Sequence, residues 1–160
     1  VVIAGWGEPL LRLDTVLDTM SRVARATPEG QVQFRVVTNG LFPREVARRL
    51  AQGGLCRATV SLASADPVQF KLLMTQEEPL AHDGSVASPS LDLEVVCDFV
   101  RNLVDAGVQV ECAAVAAPGV DIAAIQELVA SGSLGGSAIP LRVREYFPIQ
   151  QEQQSPPPRG

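Results

Sequence analysis

Short apolar runs alternate with longer amphipathic stretches along the chain. Val1–Gly5 is a continuous apolar run, the pattern of a strand covered on both faces. Residues 10–26 then place Leu10, Leu13, Val16, Leu17, Met20 and Val23 on one helical stripe. Gln33–Thr38 is a second strand, ending in Asn39-Gly40. That dipeptide signals a hairpin when alternating strands flank it, but here Pro43 and a periodic stretch through Leu50 follow. Proline belongs in the first turn of a helix, so Asn39-Gly40 is expected to be a strand-to-helix loop.

Arg57–Ala63 is the third strand, and Ser64 and Asp66 with Pro67 open a helix that runs to about Met74. Residues 75–90 lose periodicity and are expected to form a surface loop or insertion, most of it (76–90) longer than a plain connection needs. Leu91–Ala106 is helical, with Gly107 at its C′ position. Val108–Ala116 is a long strand. Pro118-Gly119 breaks it, and Asp121 can cap a helix through Val129. Gly132–Ser137 is a loop, Leu141–Tyr146 is a fifth strand, and residues 149–160 form a Gln/Pro-rich tail expected to be disordered.

Five strands with four to five helices between them predict an α/β fold with a parallel sheet joined by right-handed crossovers. The pattern alone leaves two architectures, an open doubly wound sheet or part of a βα-barrel. Ligands meet the carboxyl ends of the strands in both. At 160 residues the chain fits one domain, residues 1–148, plus the tail. A net charge of −5 argues against a nucleic-acid patch or attraction to anionic membrane. No apolar run is long enough to span a bilayer. Cys56, Cys97 and Cys112 have neither disulfide-framework nor zinc spacing, and are expected to be ordinary thiols in a reducing cytoplasm.

The strand exits read Gly5-Trp6-Gly7-Glu8-Pro9, Thr38-Asn39-Gly40, Ser61-Leu62-Ala63-Ser64, Ala117-Pro118-Gly119-Val120-Asp121 and Arg144-Glu145-Tyr146. Each taken alone is an ordinary polar loop. Together they put Glu8 and Asn39 directly after buried strands, where they would converge on one mouth. Several chemistries fall away. His82 is the only histidine and sits in the 75–90 loop, which leaves no basis for a Ser-His-Asp triad or a His-rich metal site. There is no P-loop, and Gly5-Trp6-Gly7 meets Leu10 where a dinucleotide fingerprint needs its third glycine. Lys71, the one lysine, lies on a helix rather than at a strand end.

The stretches "GWGEPLLRLD", "VVTNGLF", "ATVSLASADPVQF", "VAAPGVD" and "RVREY" together resemble the radical S-adenosylmethionine (SAM) superfamily. Their order and spacing are most similar to the TatD-associated radical SAM proteins, over nearly all of residues 1–147. The resemblance implies a partial parallel (βα) barrel, with this chain lacking the first βα unit of a (βα)6 core. In the family that unit carries Cys-x3-Cys-x2-Cys, which holds a 4Fe-4S cluster through thiolates. No such motif is present here, so on this resemblance Val1 begins the second strand and the cluster ligands lie upstream, with no metal ligand in the chain. The alternative is a non-enzymatic SAM- or nucleotide-binding module that has lost its cluster.

Carried over by position, Glu8 corresponds to the carboxylate that accepts from the α-amino group of SAM, a charge-assisted hydrogen bond. Gly5 and Gly7, followed by Pro9, would let the backbone approach the ligand. Thr38, Asn39 and Ser61 match positions facing the ribose or carboxylate of the cofactor. Val143 and Arg144 match the last strand, whose backbone meets the adenine. Two elements depart from the family: Ala63 stands where an asparagine is usual, and Pro118-Gly119-Val120 is only the nearest equivalent of an adenine-binding glycine motif. The implied activity is radical SAM-type enzymology on an unidentified small molecule, with a TatD-type partner or fused domain as a further implication. The catalytic residues remain unassigned.

Overall fold

The computed structural model describes residues 1–28, 31–74 and 91–148. His82, the 76–90 insertion and the 149–160 tail lie outside these residues. The described chain runs β1 (Val2–Ile3), a 3-10 turn (Pro9–Arg12), α1 (Leu13–Ala26), β2 (Phe34–Thr38), α2 (Arg44–Gln52) and β3 (Leu55–Ser61). It continues through α3 (Pro67–Met74), α4 (Leu93–Asp105), β4 (Gln109–Ala116), α5 (Ile122–Ala130) and β5 (Leu141–Glu145).

All four strand pairings are parallel, and the order across the sheet is β1-β2-β3-β4-β5. This order settles what the pattern left open. A doubly wound sheet reverses its strand order at a switch point, whereas here every strand adds beside its predecessor. Right-handed crossovers in one direction put every helix on the same face, as in a partial parallel βα barrel. On that face Phe34, Val36, Ala58, Val60, Cys112 and Ala114 are almost fully buried. They pack under Met20 of α1, Leu50 of α2, Phe70 of α3, Phe99 and Val100 of α4 and Ile125 of α5 in one continuous core.

Alternate strand positions point to the other, helix-free face, and these are largely polar. Arg35 on β2 donates from Nε to Thr59 Oγ1 on β3 at 2.9 Å and from Nη2 to Glu111 Oε2 on β4 at 2.7 Å. Arg142 on β5 approaches Glu111 Oε1 at 3.5 Å, and Arg57 donates to Gln109 Oε1 at 3.0 Å. The strands therefore alternate apolar and polar and are not covered equally on both faces.

The expectation of a buried first strand is corrected most clearly at β1. Val1 is 55% and Val2 63% exposed: Val2 shares the helix-free face with its partner Arg35, and among the described residues the two-residue β1 has β2 as its one neighbour. Local signals elsewhere behave as expected. Asp121 Oδ1 accepts from Ala124 N at 3.0 Å and caps α5, and Asp66 Oδ1 accepts from Gln69 N to close the first turn of α3. Asn39-Gly40 leads into α2, with Asn39 Oδ1 accepting from Leu41 N in a local turn.

Candidate functional site

The strand exits meet in a trough at the carboxyl edge of the sheet. One cavity of about 400 Å³ is bordered by Gly5, Gly7, Glu8, Thr38, Asn39 and Ser61. A second, of about 320 Å³, adjoins it, shares Asn39, Ser61, Leu73 and Met74, and extends to Arg144 and Tyr146. Of the residues singled out in the sequence, Gly5, Gly7, Glu8, Thr38, Asn39, Ser61 and Arg144 border this trough. Pro9 and Val143 do not line either cavity: Pro9 begins the 3-10 turn, and Val143 alternates to the opposite side of β5 from Arg144.

Glu8 ties the exits of β1 and β2 together. Its Oε1 accepts from Leu10 N at 3.0 Å and from Thr38 Oγ1 at 2.9 Å, and its Oε2 accepts from Asn39 N at 2.7 Å. The backbone is extended at Glu8, which makes it the N-cap of the 3-10 turn that Pro9 opens. A carboxylate offers about four acceptor positions. Three are occupied, which leaves one on Oε2 beside the cavity.

Thr38 is 2% exposed; its hydroxyl donates to Glu8 and accepts from Gly40 N at 3.1 Å. Thr38 therefore orients Glu8 and has no hydrogen left for a ligand. The Asn39 side-chain amide donors and the Ser61 hydroxyl have no protein partner among the described residues. Both border the trough and remain available to a ligand. A Cβ built at Gly5 would meet no atom within 4 Å, so packing does not demand glycine there. The open space fits close approach by a ligand.

Sequence reasoning named Tyr146 only as part of a strand exit and missed two contributors from α3. Leu73 and Met74 close the trough from the end of α3, and Tyr146 borders it just beyond β5. The signal for the helix residues was weak, because α3 is apolar around most of its circumference (Val68 and Leu72 are exposed) and shows no clear inward stripe.

The cysteines do not belong to this site. Cys97 on α4 and Cys112 on the helix-covered side of β4 are buried, and Cys56 sits near the start of β3, at the edge of the sheet opposite the trough. No group of three or more Cys, His, Asp or Glu among the described residues could hold a metal ion. Burial raises the Cys97 thiol to about 11, with Glu94 adding to it, and raises Cys112 to about 12, with Cys97 and Glu111 adding to it.

Iodoacetamide applied to the folded protein at pH 8 is expected to modify Cys56 and spare Cys97 and Cys112, as read by peptide mass. The two buried thiols stay neutral in the folded state but ionise near 9 once exposed. Their stabilising contribution is complete below about pH 9 and is lost as the pH rises towards 11–12. A falling melting temperature across that window checks the sign.

No protein-family model matches the chain. Over 66 residues it is 36% identical to a probable GTP 3',8-cyclase of Methanococcus maripaludis, a match covering 41% of this chain and 20% of that protein. The match thus spans about a fifth of the length of that curated relative. The similarity supports a relationship at the level of the radical SAM superfamily and does not reach the TatD-associated branch. None of the described helices is long and apolar enough to cross a membrane.

Proposed function

We propose that this chain is the SAM-binding part of a radical SAM-type enzyme acting on a small molecule. The observation that carries the reading is the convergence of Gly5, Gly7, Glu8, Asn39 and Ser61 on one cavity at the strand ends of a sequentially ordered parallel sheet. The superfamily-level similarity supports it. The remaining acceptor position on Glu8 Oε2 suits an ammonium group, and the free donors of Asn39 and Ser61 suit hydroxyl or carboxylate oxygens.

In this reading Glu8 binds and orients the cofactor amine, Thr38 holds Glu8 in place, and Leu73 and Met74 keep water from one wall of the trough. When bound, SAM with a 4Fe-4S cluster supplies the redox and hydrogen-abstracting chemistry, while the protein supplies position. The thiols of this chain do not fit a cluster: two are buried on the helix side, and the third is at the wrong edge of the sheet. Cluster ligands would have to come from a segment outside residues 1–160.

The test is anaerobic reconstitution with iron and sulfide, followed by absorbance near 400 nm. The 160-residue chain should retain no stable cluster, whereas the protein extended at its N-terminus by the next βα unit of its own coding sequence should. An extended protein without a cluster overturns the enzymatic reading. The placement of the three thiols away from the mouth favours a second reading, a SAM- or nucleotide-binding module that works without a cluster. That module would still shift the amide signals of Gly5, Gly7 and Asn39 on adding SAM.

A further inference from the structure

We propose that Arg144 recognises an anionic group, a phosphate or a carboxylate, on the substrate. The inference rests on the reading of the trough as a SAM-dependent active site and adds the chemical class of what occupies its far end. It starts from charge placement. The chain sums to −5, yet among the described residues the helix-free face of the sheet carries Arg35, Arg57, Arg142 and Arg144 against a single carboxylate, Glu111.

The other three arginines are committed. Arg35 is held by Thr59 and Glu111, Arg142 approaches Glu111, and Arg57 donates to Gln109. Arg144 has no acceptor among the described residues. It follows Arg142 by two positions on the same face of β5, so the neighbouring positive charge strengthens the local potential.

The cavity beside Arg144 has apolar walls, including Leu62, Leu73, Met74, Ala113 and Val120, together with three polar groups from Asn39, Ser61 and Tyr146. Such walls lower the local dielectric and strengthen a charge-assisted hydrogen bond. Among the described residues, the guanidinium fork of Arg144 and the hydroxyls of Ser61 and Tyr146 form a donor set without a carboxylate, which is chemistry that receives an oxyanion.

The anion is distinct from the cofactor's own carboxylate. Glu8 is fastened at the exit of β2, and Arg144 is three strand spacings away on β5, roughly 14 Å at the backbone. The ammonium and carboxylate of one amino acid share a carbon, so they cannot be divided between stations that far apart. The trough therefore has a station for a cation at one end and a station for an anion at the other.

The test follows arginine Nε–H and backbone amide signals of the ¹⁵N-labelled chain during titration with inorganic pyrophosphate and, separately, with succinate, at constant ionic strength. Saturating shifts centred on Arg144, Ser61 and Tyr146 are expected with one of the two, and the one that saturates names the class. R144Q should weaken that binding roughly tenfold or more, whereas R57Q, on the same face, should change it less than about twofold. Arg144 is exposed, and an otherwise unchanged spectrum confirms that the variant is folded.

Shifts that do not saturate and are shared with Arg22 and Arg44 on the helices overturn the proposal, as does unchanged binding in R144Q. A SAM titration of the same samples reads the cofactor proposal separately, at Gly5, Gly7 and Asn39. Failure there with an intact Arg144 response sinks the cofactor reading and leaves the anion station standing. The reverse result removes only the anion station.

Discussion

Replacing Glu8 by alanine is expected to lower the unfolding free energy by about 2–4 kcal/mol. The substitution removes the acceptor for three donors at once: Leu10 N, Thr38 Oγ1 and Asn39 N. Hydrogen bonds to a charged acceptor contribute about 1.5–3 kcal/mol each, and donors left without a partner cost more than the bond itself contributed. Water entering from the adjacent cavity offsets part of that cost for Asn39, but Thr38 is buried and its hydroxyl donates to no other group among the described residues.

Glu8→Gln is the sharper variant for function. It keeps one acceptor oxygen but sets an NH2 group against a backbone or hydroxyl donor, so about 1.5–3 kcal/mol of stability should still be lost. It also removes the charge, so SAM binding should weaken by about 1.5–3 kcal/mol, roughly 10- to 150-fold. Urea unfolding and a SAM titration on the same sample separate the two effects. Reduced stability with unchanged SAM affinity would leave Glu8 as a clasp between β1 and β2 and remove it from the binding site.

The second large effect is expected at Gly40. Its φ is +75°, a conformation that costs a residue with a side chain about 1–2 kcal/mol. A Cβ there would lie 2.7 Å from Val60 Cγ1 and 3.0 Å from Val96 Cγ1, both on fully buried side chains of β3 and α4. Overpacking of this kind typically costs about 1–3 kcal/mol more. Gly40→Ala should therefore lose about 2–5 kcal/mol, a large share of the roughly 5–15 kcal/mol that holds a domain together.

Gly119→Ala provides the control. Gly119 has φ +82° but open space where the methyl would go, so it should lose only the conformational part, about 1–2 kcal/mol. Pairing Gly40→Ala with Val60→Ala should give less than the sum of the two losses, because removing the valine methyls relieves the clash. Chemical denaturation of the four variants measures each part. A Gly40→Ala loss no larger than that of Gly119→Ala would show that the core yields around the added methyl.

Most of the fold was legible because its punctuation is local. Asp121 and Asp66 cap the helices they precede, and proline after Asn39-Gly40 was enough to reject a hairpin, since each of these acts within a few residues. Choosing between a barrel and a doubly wound sheet depends on which strands become neighbours, and no local pattern encodes that. The polar lattice of Arg35, Thr59, Glu111 and Arg142 was also hidden, because its members are 24 to 76 residues apart for the pairs made by Arg35. Its trace was the alternation within β3, β4 and β5, masked by the alanines and valines that alternate with it.

At the site, the turn residues around Glu8 and Asn39 announced a mouth through their position after strands. What the sequence could not disclose was the wiring: Thr38 serves Glu8 rather than a ligand, and Glu8 has three of its acceptor positions filled by the protein. Val143 and Pro9 were grouped with the site through the resemblance, for Val143 as a backbone contact; neither borders the two cavities, and the alternation of β5 turns only the Val143 side chain away from Arg144.

The sequential strand order has a consequence for how firmly the trough is held. Each strand leans on its immediate neighbours, and among the described strands β2, β3 and β4 are braced on two sides while β5 is braced on one. Local opening free energies are smallest where the bracing is least. Arg144 lies on β5, whereas Glu8 is clasped to the exit of β2 through Thr38 and Asn39, so the anionic station rides on the less braced part of the described sheet and the cationic one does not. The middle, with Asn39 and Ser61, is anchored in the part that opens last. Its breathing therefore changes the span between the cationic and anionic stations while leaving the floor between them fixed.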